Sequence, residues 1–244
     1  MSTYSETGHF KNVSNFENLI SYCSAYGKNY NPAQAKIQVP ALQQAYSTAS
    51  IVIENLMAKQ TAYKNATNAR SIVFEPLKML STRIVNAFIA CGANQQNTDD
   101  VKYYVSKIRG GAKKNVKATI TTEPNTAVEV KQHSNIQQSY DNMLEHYSNL
   151  ITLLGAEPLY QPNEVELSVA GLQTLLSDLK AKNTAVISAQ TALSNARLER
   201  DETLYATTYN LVEVALDVKK YVKSVYGATS GQYKQVSGIK FTRK

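Results

Sequence analysis

The sequence has no tryptophan, two cysteines, six prolines and ten glycines among its 244 residues. The two cysteines, Cys23 and Cys91, are too few for a disulfide framework, so a reducing compartment is the simpler expectation. Few prolines and glycines mean few interruptions of regular structure. The composition therefore favours long secondary-structure elements in an intracellular setting.

Long hydrophobic runs are also missing. The most apolar stretch, residues 72–91, is interrupted by Glu75, Lys78 and Arg83, and no run of about 18 uncharged apolar residues occurs. Residues 1–13 do not follow the charged-then-apolar order of a signal peptide. The sequence predicts a soluble, cytoplasmic protein that does not insert into a membrane.

Motifs that carry chemistry are not recognisable. Gly110-Gly111 followed by Lys113 lacks the spacing and the preceding strand of a phosphate-binding loop. There is no CxxC pair, and one Glu-x-x-His, Glu6 to His9, stands alone where a carboxylate-bridged bundle needs such a motif on two facing helices, so neither kind of metal site is indicated. The charged residues 197–202 have the spacing of ion pairs on a solvated helix face. We predict no enzyme activity, no metal, no cofactor and no small-molecule substrate.

The chain contains an internal repeat. Tyr30-Asn-Pro recurs as Tyr160-Gln-Pro, 130 residues later, and the matches between the two copies continue downstream in the same order. Residues 101–110 resemble residues 218–227 at a shorter offset. We predict a tandem duplication, with repeat 1 over 12–120, a linker over 121–139 and repeat 2 over 140–244. The two repeats are expected to pack as one domain.

Each repeat carries an apolar stripe at heptad spacing. Every seventh residue is mostly apolar for about seven heptads, starting from Leu42 in repeat 1 and from Leu172 in repeat 2. This pattern is typical of long helices in a coiled coil or bundle. Pro76 should kink the first long helix. The second has no glycine or proline from 172 to 226, and a break is most expected in the Asn-rich stretch 65–68 of the first.

Shorter elements complete the prediction. We expect helices near 14–26, 98–109 and 136–154. The alternation of residues 115–130 around a Pro-Asn turn predicts a small β-hairpin in the linker, and the tail 233–241 is also rich in β-formers. The predicted fold class is all-α: an elongated bundle built from two similar repeats.

Three segments support a family resemblance: residues 219–241, Gly8-His-Phe-Lys-Asn-Val13 and Glu157-Pro-Leu-Tyr-Gln-Pro162. They resemble an uncharacterised family of helical proteins from Bacteroidetes bacteria, over nearly the whole chain. The resemblance implies a bacterial, non-nuclear setting. It implies no activity, ligand or catalytic residue.

Positive charge is concentrated in two segments, 101–122 and 218–244. They hold 13 of the 26 basic residues and none of the 19 acidic ones. The candidate anion-binding residues in these segments are Lys102, Lys107, Arg109, Lys113, Lys114, Lys117, Lys219, Lys220, Lys223, Lys234, Lys240, Arg243 and Lys244.

Three interpretations of this charge remain open. With interleaved tyrosines, the segments could bind nucleic acid or another polyanion. Lysines near helix C-termini also complement the helix dipole without any ligand. Finally, the basic ends could meet the acidic bodies of neighbouring molecules.

Arg70 and Arg200 occupy equivalent heptad positions in the two long helices. A polar residue in a helical core is best known for fixing register, and we favour that role over a ligand anchor. The leading functional prediction is a non-catalytic interaction or assembly module that binds a protein partner or itself. The alternative is nucleic-acid or other polyanion binding through 101–122 and 218–244.

Overall fold

A computed structural model describes residues 7–110, 139–206 and 210–243. Over these ranges the chain is all-helical and contains no strand, which confirms the all-α class. The α-helices are α1 (Thr7–Ala25), α2 (Val39–Phe74), α3 (Leu77–Ala90), α4 (Gln95–Arg109), α5 (Tyr140–Ala156), α6 (Val169–Asp201), α7 (Leu211–Tyr226) and α8 (Gly231–Ser237).

The long helices differ from prediction in where they end. Helix α2 runs unbroken through the Asn-rich stretch 65–68. It ends at Phe74 because Pro76 has no backbone N–H to donate to the preceding turn. Helix α6 stops at Asp201, and a π-helical turn follows over Glu202–Ala206. Asn210 then caps α7, its side chain accepting a hydrogen bond from the amide of Glu213 at 2.9 Å. The absence of glycine and proline from 172 to 226 therefore does not produce one continuous helix.

Two smaller expectations also need correction. Helix α4 starts earlier than predicted because Asn94, rather than Thr98, provides its N-cap by accepting from the amide of Asn97. The tail is not extended throughout: Ser230 caps helix α8, and Val236 is buried. The predicted hairpin over 115–130 lies outside the described residues.

The structure divides into two compact units. Unit 1 comprises residues 1–64 and 188–244, and its described core combines α1, the start of α2, the π-helical turn, α7 and α8. Phe16 and Leu19 of α1 are fully buried with Ala215 and Val218 of α7. A smaller cluster, formed by Leu56, Leu193, Ala196 and Tyr63, joins α2 to α6.

Unit 2 is the continuous segment 65–187. Its core contains the end of α2, helices α3, α4 and α5, and the start of α6. Phe88, Val101, Tyr147 and Leu172 are all fully buried there. The boundaries of the predicted repeats do not coincide with the units, because each unit takes residues from both.

The loops before α2 and α6 each contain the same kind of internal hydrogen bond, from a tyrosine hydroxyl to a backbone carbonyl. In unit 1 the buried Tyr30 hydroxyl donates to the carbonyl of Ile37 at 2.6 Å, and in unit 2 the Tyr160 hydroxyl donates to that of Leu167 at 2.8 Å. Burial raises the pKa of Tyr160 to about 12 and that of Tyr30 further, so both phenols remain donors. Each tyrosine fixes the loop that leads into a long helix.

Candidate interaction surfaces

Most cations of the C-terminal basic segment are used inside unit 1. The Lys219 ammonium donates to the carbonyls of Ser237 and Ile239, and lies 5.3 Å from the ring centroid of Phe241. Burial lowers the pKa of Lys219. This lysine therefore holds the chain that leaves α8 against α7, and contributes less to an external ligand than its charge suggested.

Three further cations of this segment have internal partners. Lys220 pairs with Asp217 at 3.0 Å, Arg243 pairs with Glu213 at 2.9 Å, and the Lys223 ammonium lies 5.7 Å from the ring centroid of Tyr233. All of these contacts lie within unit 1. The charges of Lys220 and Arg243 are thus partly neutralised by two acids, Asp217 and Glu213, that stand just before the basic segment in sequence.

The first basic segment is described only in part. Lys102 pairs with Asp99 at 3.4 Å, Lys107 lies 5.4 Å from the ring centroid of Tyr103, and Arg109 ends α4. A groove of about 310 Å³ between α3 and α4 is lined by Lys102 and Arg109. The remaining predicted cations lie outside the described residues. They are Lys113, Lys114 and Lys117 of this segment and Lys244 of the C-terminal one.

A polar groove of about 590 Å³ runs along α1 in unit 1. Lys11 and Tyr22 of α1 line one side, and Gln235 and Lys240 line the other. The Asn15 amide holds the groove together by donating to the carbonyl of Lys240 at 2.7 Å. Both lysines are exposed, and neither forms a salt bridge within the ranges given above. Only one of them, Lys240, was singled out from the sequence.

Arg70 lies within unit 2 and is half-buried. Its guanidinium stacks 3.9 Å from the ring centroid of Tyr140 and donates to the side-chain oxygen of Asn183 at 2.9 Å. The Asn183 amide in turn donates to Asp141 at 2.7 Å. Arg70 thus reaches the Asp141 carboxylate through Asn183.

Arg200 is only 5% exposed and belongs to unit 1. Two of its nitrogens donate to one oxygen of Asp201, at 3.0 and 2.7 Å. The π-helical turn that follows places the Tyr205 hydroxyl 2.7 Å from Nδ1 of His9 and within reach of the Asn12 amide at 3.1 Å. Burial raises the pKa of Tyr205. This polar cluster lies where α6 gives way to the π-helical turn.

Helix α2 exposes an isoleucine on the side away from its core in unit 1. One side buries Ala49, Val52 and Leu56. Ile51 and Ala58, seven residues apart, lie on another side and are exposed, and Ile51 is 62% exposed. Leu198 of α6, also in unit 1, is 66% exposed. These two exposed aliphatic side chains are the candidate docking residues of unit 1.

The two cysteines have different surroundings. Cys23 is buried in the core of unit 1, where burial raises the pKa of its thiol to about 11. Cys91 is half-buried at the end of α3, and its thiol donates to the carbonyl of Phe88 at 3.0 Å. Both thiols are free, as expected for buried, unreactive cysteines.

Sequence reasoning missed the polar residues that organise these surfaces. Asn12 and Tyr205 gave no signal, because isolated polar residues are common on helices. Asn183 did offer one: it stands at the position, 130 residues on, where repeat 1 has the buried Ile53. A single amide at an otherwise apolar position indicates a specific partner.

The described residues contain no group of three or more His, Cys, Asp or Glu side chains arranged to hold a metal ion. Over the same ranges, no helix is both long and apolar enough to cross a bilayer. Comparison with protein-family models, curated proteins and solved structures finds no match to this chain.

Proposed function

We propose that this chain is a non-catalytic interaction or assembly module whose long helix α2 provides the docking surface. The single observation that carries the proposal is the exposure of two large aliphatic side chains in unit 1, Ile51 of α2 and Leu198 of α6. Ile51, Ala58 and Ala62 are exposed at i, i+7 and i+11, the spacing of one helix face. Small residues after Ile51 allow a partner helix to approach closely.

The energetics suit reversible association. Full burial of one large aliphatic side chain contributes about 1.5–3 kcal/mol, so Ile51 and Leu198 together supply a useful part of a micromolar interaction. Glu54 and Lys59 are exposed on α2 and can form the polar rim. The proposed occupant is a helix of a second copy of the chain, and docking on a different protein alone is the contrary outcome of the test below.

The tandem repeat and its heptad seam are part of this proposal. Equivalent seam positions are buried in both long helices, including Leu42 with Leu172 and Ala49 with Leu179. The shared tyrosine contact before each long helix supports the same relationship. Free thiols at Cys23 and Cys91 suit the proposed cytoplasmic location.

Light scattering of the whole chain over a wide concentration range tests assembly. We expect larger species to appear with concentration, and Ile51→Lys with Leu198→Lys to abolish them. Val165→Lys, which changes an 80% exposed apolar residue in unit 2, is the matched control and should have no effect. A chain that stays monomeric at every concentration would contradict self-assembly.

A second candidate function is binding of nucleic acid or another polyanion. The groove of unit 1 favours it, because Lys11 joins Lys240 across the groove and Tyr22 offers a ring for base stacking. Lys234 on α8 adds an exposed cation next to the lining residue Gln235. The internal partners of Lys219, Lys220 and Arg243 make this interpretation the weaker of the two.

Fluorescence anisotropy with a single-stranded oligonucleotide tests this candidate. Binding should weaken steeply with salt. Lys11→Glu with Lys240→Glu should lower affinity strongly, and reversal at Lys113, Lys114 and Lys234 should lower it further. Lys78→Glu, at an exposed lysine of unit 2, is the control. Salt-independent binding, or equal loss in the control, would contradict the groove as the site.

A further inference from the structure

Neither predicted repeat holds a complete core. In unit 1, Phe16 of α1 belongs to repeat 1 and packs in one cluster with Val218 of α7, which belongs to repeat 2. In unit 2, Val101 of α4 comes from repeat 1 and clusters with Tyr147 of α5 from repeat 2. Each repeat would therefore leave a large apolar face uncovered without the other.

Ion pairs between the repeats show a reversal of charge. Lys36, in the loop before α2, pairs with Asp217 of α7 at 2.7 Å in unit 1. Glu166, in the loop before α6, pairs with Arg83 of α3 in unit 2. Positions 36 and 166 are 130 residues apart, so the same loop position carries a cation in repeat 1 and an anion in repeat 2.

This reversal makes unlike repeats the preferred partners. If two copies of repeat 1 paired, a second Lys36 would take the place of Glu166 opposite Arg83. If two copies of repeat 2 paired, a second Glu166 would take the place of Lys36 opposite Asp217. Either combination sets like charges against each other, whereas repeat 1 with repeat 2 sets opposite charges together.

We propose that repeat 1 and repeat 2 recognise each other as unlike partners, and that repeat 2 from a second copy of the chain can replace the covalently linked one. The inference rests on the proposed assembly function and names its partner and its contact. The linker keeps the two repeats of one chain at an effective concentration in the millimolar range, so the monomer dominates in dilute solution. Exchange between copies requires high concentration or prior unfolding.

A nicked whole chain tests the pairing. A specific protease sequence is inserted after Asn125, in the linker, and the folded protein is cut there. The nicked protein should elute as one species at about the 27.0 kDa of the intact chain, containing both fragments. Two separate folded fragments would overturn the proposal.

Pairing between copies is tested by mixing. Tagged nicked protein and an equal amount of untagged, isotopically heavy nicked protein are unfolded together in urea, refolded by dilution and captured on a tag at the N-terminus. About half of the captured C-terminal fragment should be heavy. Captured material in which repeat 1 pairs with repeat 1, free of repeat 2, would overturn the preference for unlike partners.

The charge-reversed loop has its own test in the nicked chain. Lys36→Glu should weaken retention of the C-terminal fragment about tenfold, because a salt bridge becomes a repulsion. Adding Asp217→Lys together with Lys220→Glu, which keeps the second partner of residue 217 opposite in charge, should restore it. Lys28→Glu makes the same change at an exposed lysine of unit 1 and should leave retention unchanged. Failure of this combined charge swap to rescue would overturn charge-selected pairing.

These outcomes are separable from those of the proposed function. Separation of the nicked fragments would end the repeat-pairing proposal while leaving the surface of Ile51 and Leu198 to be tested in the uncut chain. Conversely, a nicked chain that stays together supports repeat pairing even if the Lys variants of Ile51 and Leu198 do not change assembly.

Discussion

Asn12 and Thr242, 230 residues apart, bind each other through two hydrogen bonds. The Asn12 side-chain amide donates to the Thr242 carbonyl at 2.9 Å, and the Thr242 backbone amide donates to the Asn12 side-chain oxygen at 2.9 Å. Asn12 is 1% exposed, so its side-chain amide depends on these protein partners for its hydrogen bonds. One buried amide thus joins α1 to the C-terminal tail.

Asn12→Ala should lower the free energy of unfolding by about 2 kcal/mol, because it removes two hydrogen bonds to the backbone of Thr242 and one to the Tyr205 hydroxyl. It should also make the tail more sensitive to proteolysis. Urea denaturation and limited proteolysis measure the two effects. Asn18→Ala, at an exposed asparagine of the same helix, is the control and should be nearly neutral. Equal stability of the two variants would contradict the role of Asn12.

Gly171→Ala should destabilise the start of α6. A Cβ at this position would lie 2.0 Å from the carbonyl oxygen of Val165, so the backbone must shift. We expect a loss of about 2 kcal/mol, as for other overpacked sites. Ala41 lies 130 residues earlier, near the start of α2, and Ala41→Gly should cost less than about 1 kcal/mol through helix propensity alone. Thermal and urea unfolding compare the two, and a stabilised Gly171→Ala would show that the loop relaxes freely.

Arg70→Leu should keep the fold, lower the free energy of unfolding by about 1–2 kcal/mol and broaden the pairing state of the helices. It removes both the stacking on Tyr140 and the hydrogen bond to Asn183. Arg70→Lys retains the charge without the planar guanidinium, so its free energy of unfolding should lie between those of the parent chain and Arg70→Leu. Sedimentation and melting profiles identical to those of the parent chain would count against a register role.

The pair of Lys36 and Asp217 predicts a dependence of stability on acid pH. The hydrogen bond from Lys36 holds the pKa of Asp217 below its ordinary value of 3.8, against a smaller opposing effect of burial. The unfolded chain therefore takes up this proton first as the pH falls. The contribution of the pair is complete above about pH 5 and is lost as the pH falls through the lowered pKa.

Lys36→Met should lower the free energy of unfolding by about 1 kcal/mol at pH 7, and parent and variant should converge toward pH 2. Lys220, the second cation on Asp217, remains in the variant and retains part of the pKa shift. Urea denaturation at several pH values measures the difference. A gap between the two proteins that stays constant with pH would contradict the assignment.

The all-α fold and the position of the proline break could be predicted because they depend on local pattern. The apolar seam from Leu42 specifies a long helix, and Pro76 removes a donor wherever it stands. The break after Asp201 could not be predicted in this way, since no residue there forbids a helix. The cap of α7 by Asn210 and the hydrogen bonds of Tyr205 with His9 and Asn12 favour the π-helical turn instead. Residues 231–237 of the tail are helical because Ser230 caps the helix and Val236 is buried in the core of unit 1. This tertiary contact outweighs the β-propensity of the residues, which alone predicted an extended tail.

The candidate surfaces were predicted less well, for a similar reason. A count of lysines located the basic segments, but their free charge depends on which acids lie beside them. Asp217 and Glu213 stand just outside the basic run in sequence, yet they pair with Lys220 and Arg243 in space. Lys11, far away in the chain, faces the same groove as Lys240.

The discontinuous composition of unit 1 has a consequence for synthesis on the ribosome. Helix α1 is made first, but α7 and α8, which cover Phe16 and Leu19, are made last. Unit 2 is continuous in sequence and is finished while these residues still wait for their partners. The apolar face of α1 therefore stays exposed until α7 and α8 have been synthesised. We expect a chaperone that binds apolar segments to act on α1 during that interval.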